Sequence, residues 1–198
     1  VEPIVNSREP LAPRHALAWI GLGANLGDAA QTLTLALQAL RALQGVKLAA
    51  VSSFWRSAPV DAPGPSFINA VARIQSELEP KALLSALLGL ERSFGRERPF
   101  QNAPRTLDLD LLLYNDLNLE DETEPALTLP HPRMQQRAFV LAPLAEIDPD
   151  LILPGGARVV RLLSALQSGE NPNFAPQTIE RLPDTNRAMA VRPKILHT

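Results

Sequence analysis

The chain contains no cysteine among its 198 residues. Disulfides and thiolate metal sites are therefore excluded, and any metal must take oxygen or histidine ligands. No apolar run approaches the ~20 residues of a membrane-spanning helix. Neither sign of charge dominates: 19 basic against 21 acidic residues leave a net charge of −2, so nothing in bulk electrostatics favours nucleic acid or a membrane surface. The first residues include acidic Glu2 and lack the apolar core of a secretion signal, and the cytoplasm is the expected compartment. Internal sequence repeats are also absent. What remains is an ordinary globular composition, 45% hydrophobic and 20% charged, long enough for one domain with a real core.

Punctuation divides the chain. Residues 1–14 hold three prolines and read as a loose extension. Residues 15–22 form an apolar run, a buried strand by pattern. Asp28 is placed to cap a helix carried by Leu33, Ala36, Leu37, Leu40 and Leu43 and stopped by Gly45. Residues 46–57 are β-rich, 61–65 a loop, and 67–78 an alternating strand. Pro80 opens a helix running to Phe94. The polar segment 95–104 leads into a strand at 106–114. An acidic, irregular excursion is expected at 115–125, then a short helix near 137–146, a turn region at 148–156 and a last helix at 159–167. Four prolines follow Ser168, so the end is expected to be ordered only where it docks. The order β-α-β-β-α-β predicts an α/β (α+β) fold, the split βαβ arrangement. Its antiparallel sheet would carry helices on one face and leave the other free for a site. The domain would span 15–167, with extensions at 1–14 and 168–198.

Chemistry concentrates in residues 104–111, Pro-Arg-Thr-Leu-Asp-Leu-Asp-Leu. Strand alternation sets Leu107, Leu109 and Leu111 on one face and Asp108 and Asp110 on the other. The acids then lie about 6–7 Å apart, from a rise of ~3.3 Å per residue. Aspartate is a poor strand former. Two like charges this close raise each other's pKa unless a cation lies between them, and magnesium shared with substrate phosphates would supply it. A merely solvated strand face would show the same alternation. Three arginines argue against that reading: Arg96, Arg98 and Arg105 sit on the loop entering this strand. Guanidinium groups suit phosphate oxygens, and a loop bearing them could close over a magnesium site.

The other motifs are weaker. Gly21-Leu-Gly-Ala-Asn-Leu-Gly27 fails the dinucleotide pattern because its third glycine comes one residue late, and no P-loop is present. These glycines read as a strand-to-helix turn. His131 stands between Pro130 and Pro132, with Arg137 six residues on; the rigid setting suits a positioned ligand contact. Asn69 offers a donor and an acceptor for a heterocycle edge. Phe67 and Phe139 can stack a flat ring, although by pattern alone they read as core.

Taken together, Gly23-x-Asn25-Leu26, Ser52-Ser53-Phe54-Trp55, Phe67-Ile-Asn69-Ala, Pro104-Arg105-Thr-Leu-Asp108-Leu-Asp110-Leu and Pro130-His131-x5-Arg137-x-Phe139 resemble the 6-hydroxymethyl-7,8-dihydropterin pyrophosphokinases in order and spacing. The resemblance covers residues 16–165. It implies a ferredoxin-like sandwich with added C-terminal helices. It also implies transfer of pyrophosphate from ATP to the pterin hydroxymethyl group, with release of AMP, in folate biosynthesis. Two magnesium ions would be held by Asp108 and Asp110. Arg96, Arg105 and Asp110 would be catalytic. Glu91, Arg96, Arg98, Arg105, Leu111, Leu127, Thr128, His131 and Arg137 would contact ATP. Phe67 and Phe139 would sandwich the pterin, and Ser57, Ala58, Val60, Asn69 and Asp108 would line it. The proton acceptor stays open between Asp110 and a hydroxyl held by the metal. Phe67 stands where the best-known members have tyrosine, which keeps stacking and loses the phenol. Asn102 and Pro132 each replace an aromatic common in the family. The expected partners are small molecules, ATP and a pterin, for a monomer that binds neither nucleic acid nor membrane. Two competing readings are a magnesium phosphohydrolase, which would use the acids on water, and a non-catalytic binding module, which would need neither metal nor the loop arginines.

Overall fold

The computed structural model describes residues 15–59, 64–95, 106–169 and 177–183. The first apolar run forms β1 (Ala16–Ala24), followed by helix α1 (Ala29–Ala42). Gly27 turns the chain at φ +60°, and the Asp28 carboxylate accepts from the Gln31 amide at 3.0 Å, capping α1 as expected. Gly45, at φ +75°, ends the helical stretch. The β-rich stretch then divides into β2 (Val46–Val51) and β3 (Trp55–Ser57). Both lie along the same edge of β4 (Phe67–Ser76), β2 against its second half and β3 against its first. Between them, Ser52 keeps the ladder going. Its amide donates to the Val71 carbonyl, and its hydroxyl accepts from the Val71 amide, both at 3.0 Å.

Helix α2 (Pro80–Ser93) starts with proline at its first position, where a missing N–H costs nothing. The next described element is β5 (Asp108–Tyr114). The strands order as β5-β1-β4-β3, with β2 also on β4, and every pairing is antiparallel. This is the ferredoxin-like sheet that the element order implies. Where an irregular excursion was expected, a hairpin forms from β6 (Leu119–Asp121) and β7 (Leu127–Leu129). A 3-10 turn (Met134–Gln136), α3 (Ala138–Ile147) and α4 (Val159–Ser168) follow. The C-terminal segment docks as a short strand, β8 (Ile179–Arg181), on the outer edge of β3.

Two apolar layers fix the sheet. On one face Ala18, Ile20, Leu22 and Ala24 of β1 meet Leu33, Leu37 and Leu40 of α1 and Leu83 and Leu87 of α2. Each fully buried leucine of this kind contributes ~1.5–3 kcal/mol. Leu107, Leu109 and Leu111 join the same layer. The opposite face was expected to be free, and here the structure differs. Trp19, Val71, Leu112 and Leu113 pack there beneath α3 and α4. The end of α3 is fastened by Asp148, whose carboxylate accepts from Trp19 Nε1 at 2.7 Å and from Arg73 at 2.6 Å. A bulge adds a residue to this second layer. β5 pairs Trp19 with Leu113 but Ile20 with Leu111, leaving Leu112 as an extra residue. Only the part of this face nearer the Asp108 end of β5 remains for a site.

Candidate active site

The site is a row across four strands. Asn69 of β4 pairs with Trp55 of β3 on one side and with Gly23 of β1 on the other, and Gly23 pairs with Asp108 of β5. One step along, Gly21 lies between Val71 and Asp110. Directly opposed residues share a face. Asn69, Asp108 and Asp110 therefore look the same way, as does Phe67, two residues before Asn69 and paired with Ser57.

Gly21 and Gly23 correct an expectation. They do not turn the chain; they lie inside β1, and only Gly27 makes the turn. Their use is spatial. A Cβ at Gly23 would come within 3.4 Å of Asn69 Oδ1, and one at Gly21 would meet the Leu112 side chain at 3.4 Å. At Gly23 the middle strand thus presents a floor with no side chain of its own between the amide of Asn69 and Asp108, a span of about 10 Å from strand spacings of ~4.8 Å, while the space over Gly21 is taken by Leu112.

Each wall of this floor is tied from behind. Asn69 is 4% exposed, and its Nδ2 donates to Ser57 Oγ at 3.0 Å. That bond leaves Oδ1 on the Gly23 side. Glu91 of α2 is 1% exposed, and its Oε1 accepts from the Leu109 amide at 2.7 Å. Leu109 is the residue between the two acids, so this carboxylate braces the acid strand from the helix side. Sequence reasoning placed Glu91 against ATP; in the structure one of its carboxylate oxygens grips the backbone that carries Asp108 and Asp110.

His131 arrives from the other direction. It follows the cis peptide Leu129–Pro130, and its amide donates to the Leu112 carbonyl at 2.9 Å, just past Asp110. Nδ1 accepts from the Arg133 amide at 3.3 Å, which places the proton of the neutral ring on Nε2. Burial pushes the imidazole below its ordinary pKa; Asp110 and Asp108 pull it upward, and Arg137 and Arg133 push it down. These interactions show that the fold gathers His131, Asp108, Asp110 and Arg137, residues up to 29 positions apart, into one electrostatic group. Arg137 occupies the N-cap position of α3, with its guanidinium carbon 5.4 Å from the centroid of the Phe139 ring.

The remaining expected contacts divide. Ser57 is buried on β3 and Ala58 is exposed beyond it. Thr128 is exposed on β7, whereas Leu111 and Leu127 turn their side chains into the core. Val60, Arg96, Arg98, Asn102 and Arg105 lie outside the described residues. Glu146 was missed by sequence reasoning. It accepts from the Ser53 amide and hydroxyl and from Trp55 Nε1, and so explains the Ser52-Ser53-Phe54-Trp55 motif as a joint between α3 and the sheet.

Magnesium fits this donor set. It needs only one or two carboxylates when substrate phosphates complete its shell. Among the described residues no group of three or more His, Asp or Glu forms a closed metal cage. Two carboxylates beside a bare floor suit a metal shared with a phosphate ligand. None of the helices among the described residues is long and apolar enough to cross a membrane.

Comparison with known proteins agrees with the geometry. The sequence model of the family described as 7,8-dihydro-6-hydroxymethylpterin-pyrophosphokinase matches residues 19–149. A 2-amino-4-hydroxy-6-hydroxymethyldihydropteridine pyrophosphokinase from Synechocystis sp. is 42% identical over 147 residues, 74% of this chain and 74% of that one. The Pseudomonas aeruginosa protein of the same name is 41% identical over 166 residues, 83% of this chain and 96% of its own. In structure, a Plasmodium falciparum HPPK-DHPS chain solved with pterin and p-hydroxybenzoate superposes with a TM-score of 0.67 at 13% identity, a likeness of fold. That superposition covers 87% of this chain and 47% of the longer one, so this chain spans about half of it. The match over residues 19–149 takes in the glycine floor, the acid strand and the His131–Arg137 segment alike, and the chain belongs to the 7,8-dihydro-6-hydroxymethylpterin-pyrophosphokinase family.

Proposed function

We propose that this ATP-dependent pyrophosphokinase of folate biosynthesis binds its two substrates on the bare glycine floor, the pterin toward Asn69 and the triphosphate toward Asp108 and Asp110. The carrying observation is the row itself: a buried amide, a glycine and an acid in register across three strands. Asn69 Oδ1 takes a ring N–H at the pterin edge, while Phe67 and Phe139 offer ring faces for stacking. Asp108 and Asp110 would hold magnesium, which when bound neutralises phosphate charge. Neutral His131 donates its Nε2–H to a phosphate oxygen, and Arg137 adds positive charge. Arg96, Arg98 and Arg105, from the sequence before β5, are read as further phosphate contacts.

The hydroxymethyl oxygen attacks the β-phosphorus in line. An O–P bond forms, the bridge between the α- and β-phosphates breaks, and AMP leaves with the bridging oxygen. Asp110, one of the two acceptors the sequence leaves open, is read as taking the hydroxyl proton. No covalent enzyme intermediate is needed, because positioning and charge neutralisation carry most of such a transfer. ATP consumption supports the cytoplasm as the compartment, and the chain is read as a monomer acting on small molecules.

The experiment is product analysis with ATP, magnesium and the pterin, for the wild type and Asp110→Asn. AMP and the pterin diphosphate should appear in equal amounts. Asp110→Asn should lower turnover by about a hundredfold or more, the scale of losing one transition-state charge contact. Formation of ADP, or phosphate release without the pterin, would overturn the reading.

A further inference from the structure

The segment just beyond α4 touches both sides of this site. The Gln177 amide donates to the Leu166 carbonyl of α4 at 3.2 Å. Its side chain is used twice: Oε1 accepts from the Ala138 amide at 2.8 Å, and Nε2 donates to the Gln136 carbonyl at 2.7 Å. Those two main-chain groups flank Arg137. Ala138 is the first residue of α3, and its N–H is one of the donors that no carbonyl within the helix can satisfy. Arg137, at the N-cap, provides no capping side chain. Gln177 supplies the cap from elsewhere in the chain.

Beyond Gln177 the segment joins the edge of the sheet. Ile179 pairs with Ser57, Glu180 with Arg56 and Arg181 with Trp55, and the Leu182 amide donates to the Phe54 carbonyl at 2.8 Å. Arg181 reaches Ser53 Oγ at 2.6 Å and Glu146 at 3.1 Å. Arg56 and Glu180 form a further pair at 2.8 Å. Six consecutive residues thus connect the stretch carrying Arg137 and Phe139 to the strand carrying Ser57, whose hydroxyl orients Asn69.

We propose that residues 177–182 are a strap that sets the two sides of the substrate site against each other, with Gln177 as the positioning residue for Arg137 and Phe139. The proposal rests on reading those two residues as substrate contacts. Its physical content is preorganisation. Arg137 sits in extended backbone, φ −124° and ψ 105°, between a 3-10 turn and a helix. Hydrogen bonds to the peptide groups on both sides hold its backbone angles, so less freedom is lost when substrate binds. Without Gln177 both groups turn to water, and the Arg137 backbone keeps only the bond from its own amide to Met134 and those its carbonyl accepts from Val140 and Leu141.

The test uses the full chain with Gln177→Ala and Gln177→Glu, and Arg137→Ala and Phe139→Ala in parallel. Glutamate keeps an acceptor for the Ala138 amide and loses the donor to Gln136. The readouts are kcat and KM for each substrate, and the exchange rate of the Ala138 amide by NMR. Gln177→Ala should raise KM about fivefold to fiftyfold, the scale of one to two hydrogen bonds. It should also speed Ala138 exchange and change kcat much less. Gln177→Glu should recover at least half of the lost affinity on a logarithmic scale and restore amide protection. If Gln177→Ala exchanges faster at Ala138 yet keeps wild-type KM values, the strap is structural only and the proposal fails. Should Gln177→Ala not fold, Gln177→Met, which keeps the side-chain length and loses both hydrogen bonds, decides by the same measure: a raised KM supports the strap, an unchanged one overturns it. Unchanged KM values in Arg137→Ala and Phe139→Ala would refute the site reading and the strap with it. Raised values there, with an unaffected Gln177→Ala, would refute the strap alone.

Discussion

Replacing Glu91 by alanine tests whether the acid strand is held from behind. The substitution removes the acceptor of the 2.7 Å bond from the Leu109 amide, at a side chain only 1% exposed. A hydrogen bond to a charged group contributes ~1.5–3 kcal/mol, and a buried amide left without an acceptor costs a similar amount. In a chain of this size each kcal/mol moves Tm by about 2–4 °C, so Glu91→Ala should melt roughly 3–12 °C lower. The catalytic effect follows from geometry. Leu109 lies between the two acids, and a misplacement of ~1 Å at reacting groups can cost about a hundredfold. Glu91→Gln keeps an oxygen for the Leu109 amide, so it should retain most of the stability. The assay pairs thermal melts with AMP release as a function of magnesium concentration. Glu91→Ala should need more magnesium for half-maximal rate, and Glu91→Gln should stay close to the wild type. A Glu91→Ala protein with unchanged Tm and magnesium dependence but a raised KM for ATP would refute the brace and make Glu91 a nucleotide contact.

Two further outcomes follow from the joint at Ser53 and from the glycine floor. Burial raises the Glu146 carboxyl, but the hydrogen bonds from Ser53 and Trp55 and the charge of Arg181 outweigh it and hold the group below its ordinary value of 4.5. A depressed folded pKa stabilises fully above the unfolded value and is lost as pH falls through the folded one. The stability gap between the wild type and Glu146→Gln, measured by urea denaturation, should therefore be full at neutral pH and shrink on acidification below that value. A gap that stays constant into acid would contradict this account. Gly23→Val places a branched side chain between Asn69 and Asp108 on a strand that otherwise suits valine. Pterin affinity by calorimetry should drop at least about fivefold, given ~1–3 kcal/mol for an overpacked contact, and the same crowding should lower Tm by a few degrees, about 2–4 °C per kcal/mol. Undiminished affinity would mean that the pterin does not use the floor.

Local chemistry was legible where a residue announces its own geometry. Asp28, Gly45 and Pro80 mark helix ends by capping, left-handed backbone and a missing amide, and the structure uses each in that way. The Asp108–Asp110 alternation predicts a shared face, and the register confirms it. What sequence reasoning lost depends on distant partners. A glycine pair reads the same in a turn as in a strand that must stay bare; only the pairing of Gly23 with Asn69 and Asp108 tells them apart. Strands of three residues, such as β6, β7 and β8, are too short to show a period. The role of Glu91 was hidden because nothing in its helix points to an amide eighteen residues away. The sheet face expected to be open is partly covered because α3 buries Ala138, Val140, Leu141, Ala142, Pro143 and Leu144. Its pattern foretells burial but not the surface that receives it.

The extra residue at Leu112 gives β5 a change of parity. Asp108 and Asp110 are even-numbered and look into the site. Tyr114 is even-numbered too, yet it packs with the helical layer, where its hydroxyl donates to the Leu78 carbonyl at 2.8 Å. One strand therefore carries two codes, read in opposite senses before and after a run of three leucines. The bulge is what lets three leucines stand where two would alternate. Losing one leucine together with the bulge would restore simple alternation with the acids still toward the site and Tyr114 still in the apolar layer, so that deletion should be tolerated. Flattening the bulge while keeping all three leucines would instead send either the acids into the apolar layer or Tyr114 out of it.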